Sequence, residues 1–458
     1  MNIAVFGAGY VGLVTGAVLA DLGHKVSLID VDHHKVEQIN CSQPPIYEFA
    51  LDSLLHRVIS SNALYARTEP SGEVGQAEVI FIAVGTPSLN DGAPDLESVH
   101  QAAVTIGQHL TPLQNCVIVN KATVPIGSAN LVEMWIDDGF TQANGQPAPE
   151  GTFSVASNPE FLREGRAVHD TFYPDRIVLG AENPAALERL TSLYRPILEQ
   201  SFEPPHQLPR PQGLKAVPVV TTDRLSAEMI KYAANAFLST KISFANEMAN
   251  ICERVGADIN TVMSGIGLDN RIGPQFLNAG VGWGGSCFGK DLSALIHTAR
   301  EYGYEPRLLD STREVNNQQR RSVIKRLQDE LKTIKGRRIA IWGLAFKPGT
   351  DDLRDAPSLN IIQELIHLNA RVIVFDPVAM DNMHRQFPDW DIRYAPGPLE
   401  AVDGAHALVV LTEWDIFRQV PLKDIVNRLE SPVIIDARNI FDPALARRLS
   451  IRYRGIGR

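Results

Sequence analysis

The feature that most limits what this chain can become is a plan written twice. NIAVFGAGYVGLVTGAVLADLGHKVSLID, residues 2–30, runs strand, glycine-rich turn, helix, strand, acid. NIAVF is a short apolar run, YVGLVTGAVLADLG carries apolar residues at helical spacing, and HKVSLID reads as a second buried strand. RRIAIWGLAFKPGTDDLRDAPSLNIIQELIHLNARVIVFD, residues 337–376, repeats the order. From Gly7 to Asp30 is 23 positions and from Gly343 to Asp376 is 33, so the second turn is longer, and it lacks the tight glycine pattern.

Further strand-like runs fall at 77–85, 115–123, 153–159 and 176–180, and near the other end at 407–412 and 432–437. Helical patterns separate several of them, and that alternation predicts parallel sheets. Residues 221–256 keep helical periodicity with no proline and a glycine only at the end, which predicts one long helix. The proline-rich stretch before it, 203–218, reads as a surface loop or boundary. A chain of 458 residues is too long for a single core. The expected fold is α/β: two doubly wound Rossmann-like domains, 1–220 and 331–458, joined by a long central helix in a helical part, 221–330.

GAGYVG, Gly7 to Gly12, is a GxGxxG motif in its full context: it follows a strand, opens a helix, and has Asp30 at the end of the next strand. Glycines there permit close approach of a pyrophosphate to the helix start, whose amides and dipole favour anions. Asp30 would accept from ribose hydroxyls and repel a 2′-phosphate, favouring NAD over NADP. Lys35 lies close enough in sequence to help hold the ribose.

The bulk numbers narrow the partners. A net charge of −10 argues against nucleic acid or an anionic membrane, while leaving room for a local cationic site. No apolar run reaches membrane-spanning length. The chain enters a strand pattern at once, so a cytoplasmic protein with reduced thiols is expected. Cys41, Cys116, Cys252 and Cys287 form no CxxC pair and no metal-ligand spacing, so no metal is expected.

Several polar residues stand out. Lys231 and Asn235 project from one helix face, four apart. They are either a solvated face or a buried cation and amide that need an anion and could steady an oxyanion. Glu160 and Glu164 in NPEFLREG, and Thr123 in NKATVP, follow predicted strand ends, where open α/β sheets place their chemistry. Cys287 in GVGWGGSCFGKD sits among glycines, beside Lys290 and before an amphipathic helix, a setting that favours thiolate.

These motifs together, from GAGYVG through VGTPS, KATVPIGS, SNPEFLREG, EMIKYAANAFLSTKISFANE, NRIG, GGSCFGKD and FKPGTDDLRDAP to LTEWDIF, resemble the UDP-glucose/GDP-mannose dehydrogenase family over nearly the whole chain. The resemblance implies oxidation of a sugar C6 alcohol to a carboxylate by two hydride transfers to NAD, with UDP-glucose as substrate; GDP-mannose or a UDP-N-acetylhexosamine is the alternative. It implies Cys287 as nucleophile, Lys231 and Asn235 on the oxyanions, Asp291 and Thr123 on a water, and Glu160 assisting thioester hydrolysis. NAD would be held by Gly7, Gly9, Tyr10, Val11, Gly12, Asp30, Lys35, Thr86, Thr123, Glu164, Lys290 and Arg354. The nucleotide sugar would meet Glu160, Phe161, Leu162, Lys231, Asn235, Gly284, Lys347 and Arg438, with Arg271 reaching it across a homodimer formed through the central helix. The family's cysteine motif continues with proline where this chain has Gly289, and the loops 144–150 and 204–213 look like insertions.

Overall fold

The computed structural model describes residues 1–70, 72–89 and 92–458. It divides into two compact units, Met1–Ala233 and Ala234–Arg458.

The first unit is built on an eight-stranded sheet. Its strands are β1 (Asn2–Phe6), β2 (Lys25–Ile29), β3 (Leu64–Arg67), β4 (Val79–Ile82), β5 (Cys116–Asn120), β6 (Phe153–Ser157), β7 (Ile177–Ala181) and β8 (Val219–Thr222), in the order β3-β2-β1-β4-β5-β6-β7-β8. Neighbours run parallel except β6 and β7, where the chain reverses. Val5 on β1 lies opposite Leu28 and Phe81, and all three are fully buried. Helices cover both faces, so the central strands read as unbroken apolar runs. The order reverses between β1 and β4, the switch point outside which such sheets bind their ligands.

The second unit repeats the design with β9 (Arg338–Trp342), β10 (Arg371–Phe375), β11 (Ile392–Tyr394), β12 (Ala407–Val410), β13 (Val433–Asp436) and β14 (Arg452–Arg454), all parallel, in the order β11-β10-β9-β12-β13-β14. Both halves of the repeated plan therefore fold as doubly wound sheets. The periodicity left β3, β8, β11 and β14 unread because all four are short edge strands, partly or wholly exposed, with no continuous apolar run.

The long helix spans Arg224–Val255, and the division between units falls inside it. Asp223 starts it by accepting from the Ser226 amide at 2.7 Å. Gly256, at φ +78°, ends it, its amide and that of Ala257 returning to the Cys252 carbonyl. The proline-rich stretch before the helix lies against the unit: Leu208 and Val217 are buried, and the Tyr173 hydroxyl donates to the Leu208 carbonyl at 2.7 Å. Among the described residues no helix is long and apolar enough to cross a membrane.

Asp376, the acid of the second plan, is wholly buried after β10. It accepts from the amides of Leu344, Val378 and Ala379 at 2.8–3.0 Å, from Ala345 at 3.3 Å and from the Trp414 indole at 3.2 Å. It thereby fixes the turn after β9 to the end of β10. Asp376→Ala strands these donors in the interior, and a loss of about 3 kcal/mol or more is expected by urea denaturation of the full chain. A loss under about 1 kcal/mol would show that the turn holds its shape without the carboxylate.

Candidate active site

The candidate side chains come from strand ends, from the long helix and from one further helix start. In the first unit the turn after β1 has two glycines that the fold requires. Gly7 lies at φ +100°, with room for a Cβ only 2.6 Å from the Ala83 carbonyl oxygen, and a Cβ on Gly12 would fall 1.9 Å from the Gly7 oxygen. Gly9 is different: a Cβ there meets no protein atom within 4 Å, so packing does not demand glycine. That open approach lies at the start of the helix Tyr10–Asp21 and fits a dinucleotide pyrophosphate.

Asp30 accepts from the amides of Ala8 at 2.7 Å and Asp32 at 3.0 Å, one per carboxylate oxygen, leaving acceptor capacity on both. It is partly exposed, and the Lys35 ammonium stands 4.0 Å away. The arrangement fits the ribose hydroxyls of a dinucleotide. Tyr10 and Val11 open the helix half-buried, the Tyr10 hydroxyl bonding the Tyr47 carbonyl. Thr86, after β4, donates to the Thr123 carbonyl after β5 at 2.7 Å, tying those two strand ends together.

Beyond β6 the chain forms a buried charge pair. The Lys231 ammonium meets Glu160 Oε1 at 2.8 Å, while Glu160 Oε2 accepts the Leu162 amide at 2.8 Å. Burial pushes the Glu160 carboxyl up. The Lys231 charge and hydrogen bond, the Leu162 amide and the Lys121 charge more than offset this and hold it below its ordinary value. Two cations lie near the Phe161 ring, the Arg176 guanidinium 3.6 Å from its centroid and the Lys231 ammonium at 5.5 Å. Glu164 is also buried. A small cavity beside the pair is lined by Asn120, Thr123, Ser157, Glu228 and Lys231.

In the second unit Cys287 occupies the N-cap of the helix Phe288–Glu301, with its sulfur 3.5 Å from the Ser286 hydroxyl. The positive end of that helix favours a thiolate. One turn on, Asp291 is 1 % exposed and accepts from the Asn235 amide and the Lys290 ammonium, both at 2.6 Å. The glycines ahead of the cysteine let two loops interpenetrate. A Cβ on Gly284 would lie 2.3 Å from the Asp355 carbonyl oxygen, and one on Gly285 would lie 2.7 Å from the Phe346 ring. The cysteine loop is thus seated on the turn that carries Lys347. Gly289, at the helix's second position, has the Asp355 carboxylate 3.0 Å from where a Cβ would stand. That carboxylate is engaged by Arg320 at 2.6 Å, so a larger residue at 289 would press on a fixed ion pair.

Arg438, after β13, reaches the same turn. Its guanidinium donates to the carbonyls of Leu411 at 2.8 Å and Phe346 at 3.1 Å and pairs with Glu413 at 3.1 Å. The Lys347 ammonium lies 5.3 Å from the Phe346 ring centroid. Two further expected residues are each held by an acid two positions away. Arg354 is chelated by Asp352 with its side chain largely in solvent, and Arg271 is 89 % exposed, bound to Asp269 at 2.6 Å.

Sequence reading passed over Lys121, Arg176 and Asn158. The Lys121 ammonium is buried on the Asn158 carbonyl oxygen at 2.9 Å, near the Tyr194 hydroxyl. Its position at the mouth of β5 was the one available signal. Burial lowers its pKa to about 8, Glu160 acting against the shift and Lys231 with it.

A glycine turn open to a pyrophosphate, with a carboxylate that keeps free acceptors at the end of the next strand, marks a dinucleotide-binding unit. The chain belongs to the UDP-glucose/GDP-mannose dehydrogenase family: residues 1–198 match its NAD binding domain, 225–318 its central domain and 340–443 its UDP binding domain. It is an NAD-dependent dehydrogenase of a nucleotide sugar. The chain is 42 % identical over 460 residues to the UDP-glucose 6-dehydrogenase YwqF of Bacillus subtilis, covering 100 % of this chain and 98 % of that one. It is 41 % identical over 463 residues to the UDP-glucose 6-dehydrogenase of Pseudomonas aeruginosa, with the same coverage. A UDP-glucose dehydrogenase structure from Pyrobaculum islandicum superposes with a TM-score of 0.87 at 34 % identity, covering 99 % of this chain and 97 % of that one.

Lys121 generates a pH dependence. Its folded-state pKa lies below the ordinary lysine value of about 10.4, so it contributes stability present above that value and lost as pH falls through about 8. Urea unfolding free energies should therefore climb between about pH 8 and 10 more steeply in the wild type than in Lys121→Met. Equal slopes would refute the assignment.

Proposed function

We propose that this enzyme oxidises C6 of UDP-glucose to the carboxylate of UDP-glucuronate, with Cys287 as the covalent nucleophile and two NAD consumed per turnover. The observation that carries this reading is the thiol at a helix N-terminus, with a buried carboxylate one turn on that binds both Asn235 and Lys290. A single oxidation to an aldehyde has no use for a thiol. Bound NAD supplies the hydride acceptor for each oxidation.

The C6 alcohol loses a proton and a hydride to become an aldehyde. The Cys287 thiolate adds to that carbon, and the new oxyanion is steadied by Lys231 and Asn235. Loss of a second hydride from C6 turns the thiohemiacetal into a thioester. Water positioned by Asp291 and Thr123, with Glu160 assisting, adds to the carbonyl; the carbon–sulfur bond breaks and the thiol is regained. In sum, one alcohol, two NAD⁺ and one water give one carboxylate, two NADH and three protons.

The UDP-glucose choice is supported by full-length relatives near 40 % identity named as UDP-glucose 6-dehydrogenases. Lys347 and Arg438 would take the nucleotide diphosphate, offsetting an acidic protein's repulsion of it. Phe161, Leu162 and Gly284 would line the sugar. Glu164, Lys290 and Arg354 would border the cofactor. A homodimer through the central helix is supported by its unpartnered stripe of Phe237, Phe244 and Ile251, exposed and seven apart. On that assembly Arg271 reaches the neighbour's substrate, and 221–330 acts as the dimerisation part between 1–220 and 331–458. The cytoplasm would keep the four free cysteines reduced.

NADH formation with UDP-glucose, GDP-mannose and UDP-N-acetylmannosamine tests the substrate; a clear preference for either of the last two overturns it. Cys287→Ala should lose the full reaction by at least about a thousandfold. Cys287→Ser should stall with a sugar-nucleotide adduct visible by intact mass. Carboxylate production by Cys287→Ala at near wild-type rate would sink the covalent route.

A further inference from the structure

Residues 452–458 lie beyond the span matched by the UDP binding domain, yet they hold the loop that carries Arg438. That loop, 436–441, follows β13 and has two internal anchors. Asp436 is fully buried; its Oδ1 accepts the Arg438 amide at 3.2 Å, and its Oδ2 accepts the Phe441 amide and the Tyr453 hydroxyl, each at 2.9 Å. Asn439 sits in the left-handed region at φ +54°. Its side-chain amide exchanges two 2.9 Å hydrogen bonds with the backbone of Ile456, donating to the carbonyl and accepting from the amide. A strained conformation held by a reciprocal pair has one geometry.

The far end of the segment is equally fixed. Ile456 is fully buried, and Gly457, at φ +73°, is wedged so tightly that a Cβ would stand 2.6 Å from Ala249 Cβ and 2.7 Å from Ile259 Cβ. The Gly457 amide donates to Glu253 at 2.9 Å and its carbonyl accepts the Ile259 amide at 2.9 Å. The loop passes this anchoring on. The Ala437 carbonyl accepts the Val281 amide at 2.8 Å, at the root of the cysteine loop, and a Cβ on Gly280 would lie 2.9 Å from the Ala437 oxygen.

We propose that Tyr453 and Asn439 are positioning residues for nucleotide-sugar binding. Through them the segment 452–458 clamps the loop of Arg438 to the end of the long helix, setting the guanidinium for the UDP diphosphate. Each acts through the backbone on either side of Arg438, Tyr453 by way of Asp436 and Asn439 as the next residue. The inference rests on the reading of Arg438 as a nucleotide-sugar contact.

The test is UDP affinity by calorimetry on the full-length enzyme, beside KM for UDP-glucose, KM for NAD and the melting temperature. Tyr453→Phe removes one hydroxyl, and Asn439→Gly keeps the left-handed backbone while removing both hydrogen bonds. Each should weaken UDP binding and raise the UDP-glucose KM by about three- to tenfold, the loss of one or so hydrogen bonds' worth of ordering, with KM for NAD unchanged. Arg438→Ala controls for the underlying reading. If it leaves UDP affinity intact, the role of Arg438 fails. If it weakens binding while Tyr453→Phe and Asn439→Gly bind UDP like the wild type, the clamp is refuted. A lower melting temperature and a lower apparent kcat, with UDP affinity and both KM values at wild type, would also refute positioning, since a smaller folded fraction marks a purely structural role.

Discussion

Both units depend on one tether, a carboxylate at the end of the second strand that collects amides from the turn after the first. Asp30 and Asp376 occupy equivalent places in sheets of the same inner strand order, β2-β1-β4 and β10-β9-β12. They differ in what remains after the tether is made. Asp30 accepts one amide per oxygen and stays partly exposed, so acceptor capacity is left for a ribose. Asp376 is buried and takes five donors, which leaves it nothing to offer a ligand. A duplicated plan thus yields one dinucleotide fingerprint and one scaffold, and the scaffold's longer turn is free to carry Lys347.

Close backbone approach does the rest in the second unit. The cysteine loop can sit on the 346–355 turn because Gly284 and Gly285 have no side chains to hold it off. That seating brings the thiol-bearing helix start against the turn that carries Lys347 within the unit. Entropy given up by so many glycines is offset by a contact that no other residue type permits.

How much of this is legible in the sequence depends on the scale of the feature. GAGYVG with Asp30 announces its function because the motif needs only local context, and the long helix is plain because no proline or glycine interrupts it. Lys231 and Asn235 are harder: periodicity puts them on one face but cannot say what they meet. Lys231 turns to Glu160, whereas Asn235 turns to Asp291, 56 positions away. Partners so distant leave no spacing signal. The same holds for Glu228, buried from the long helix onto the amides of Gly127 and Ala129, and for Lys121, whose burial no local pattern reveals. The short edge strand β14 was unreadable because three residues carry too little periodicity, although the order of the 436–441 loop depends on it.

The central claim is a four-electron oxidation that passes through a thioester on Cys287. Its most direct test counts NADH against UDP-glucose consumed in a single-turnover reaction with excess enzyme and NAD. The account predicts two NADH per UDP-glucose, with UDP-glucuronate as the product. One NADH per UDP-glucose, with a free aldehyde trapped by hydroxylamine, would contradict it.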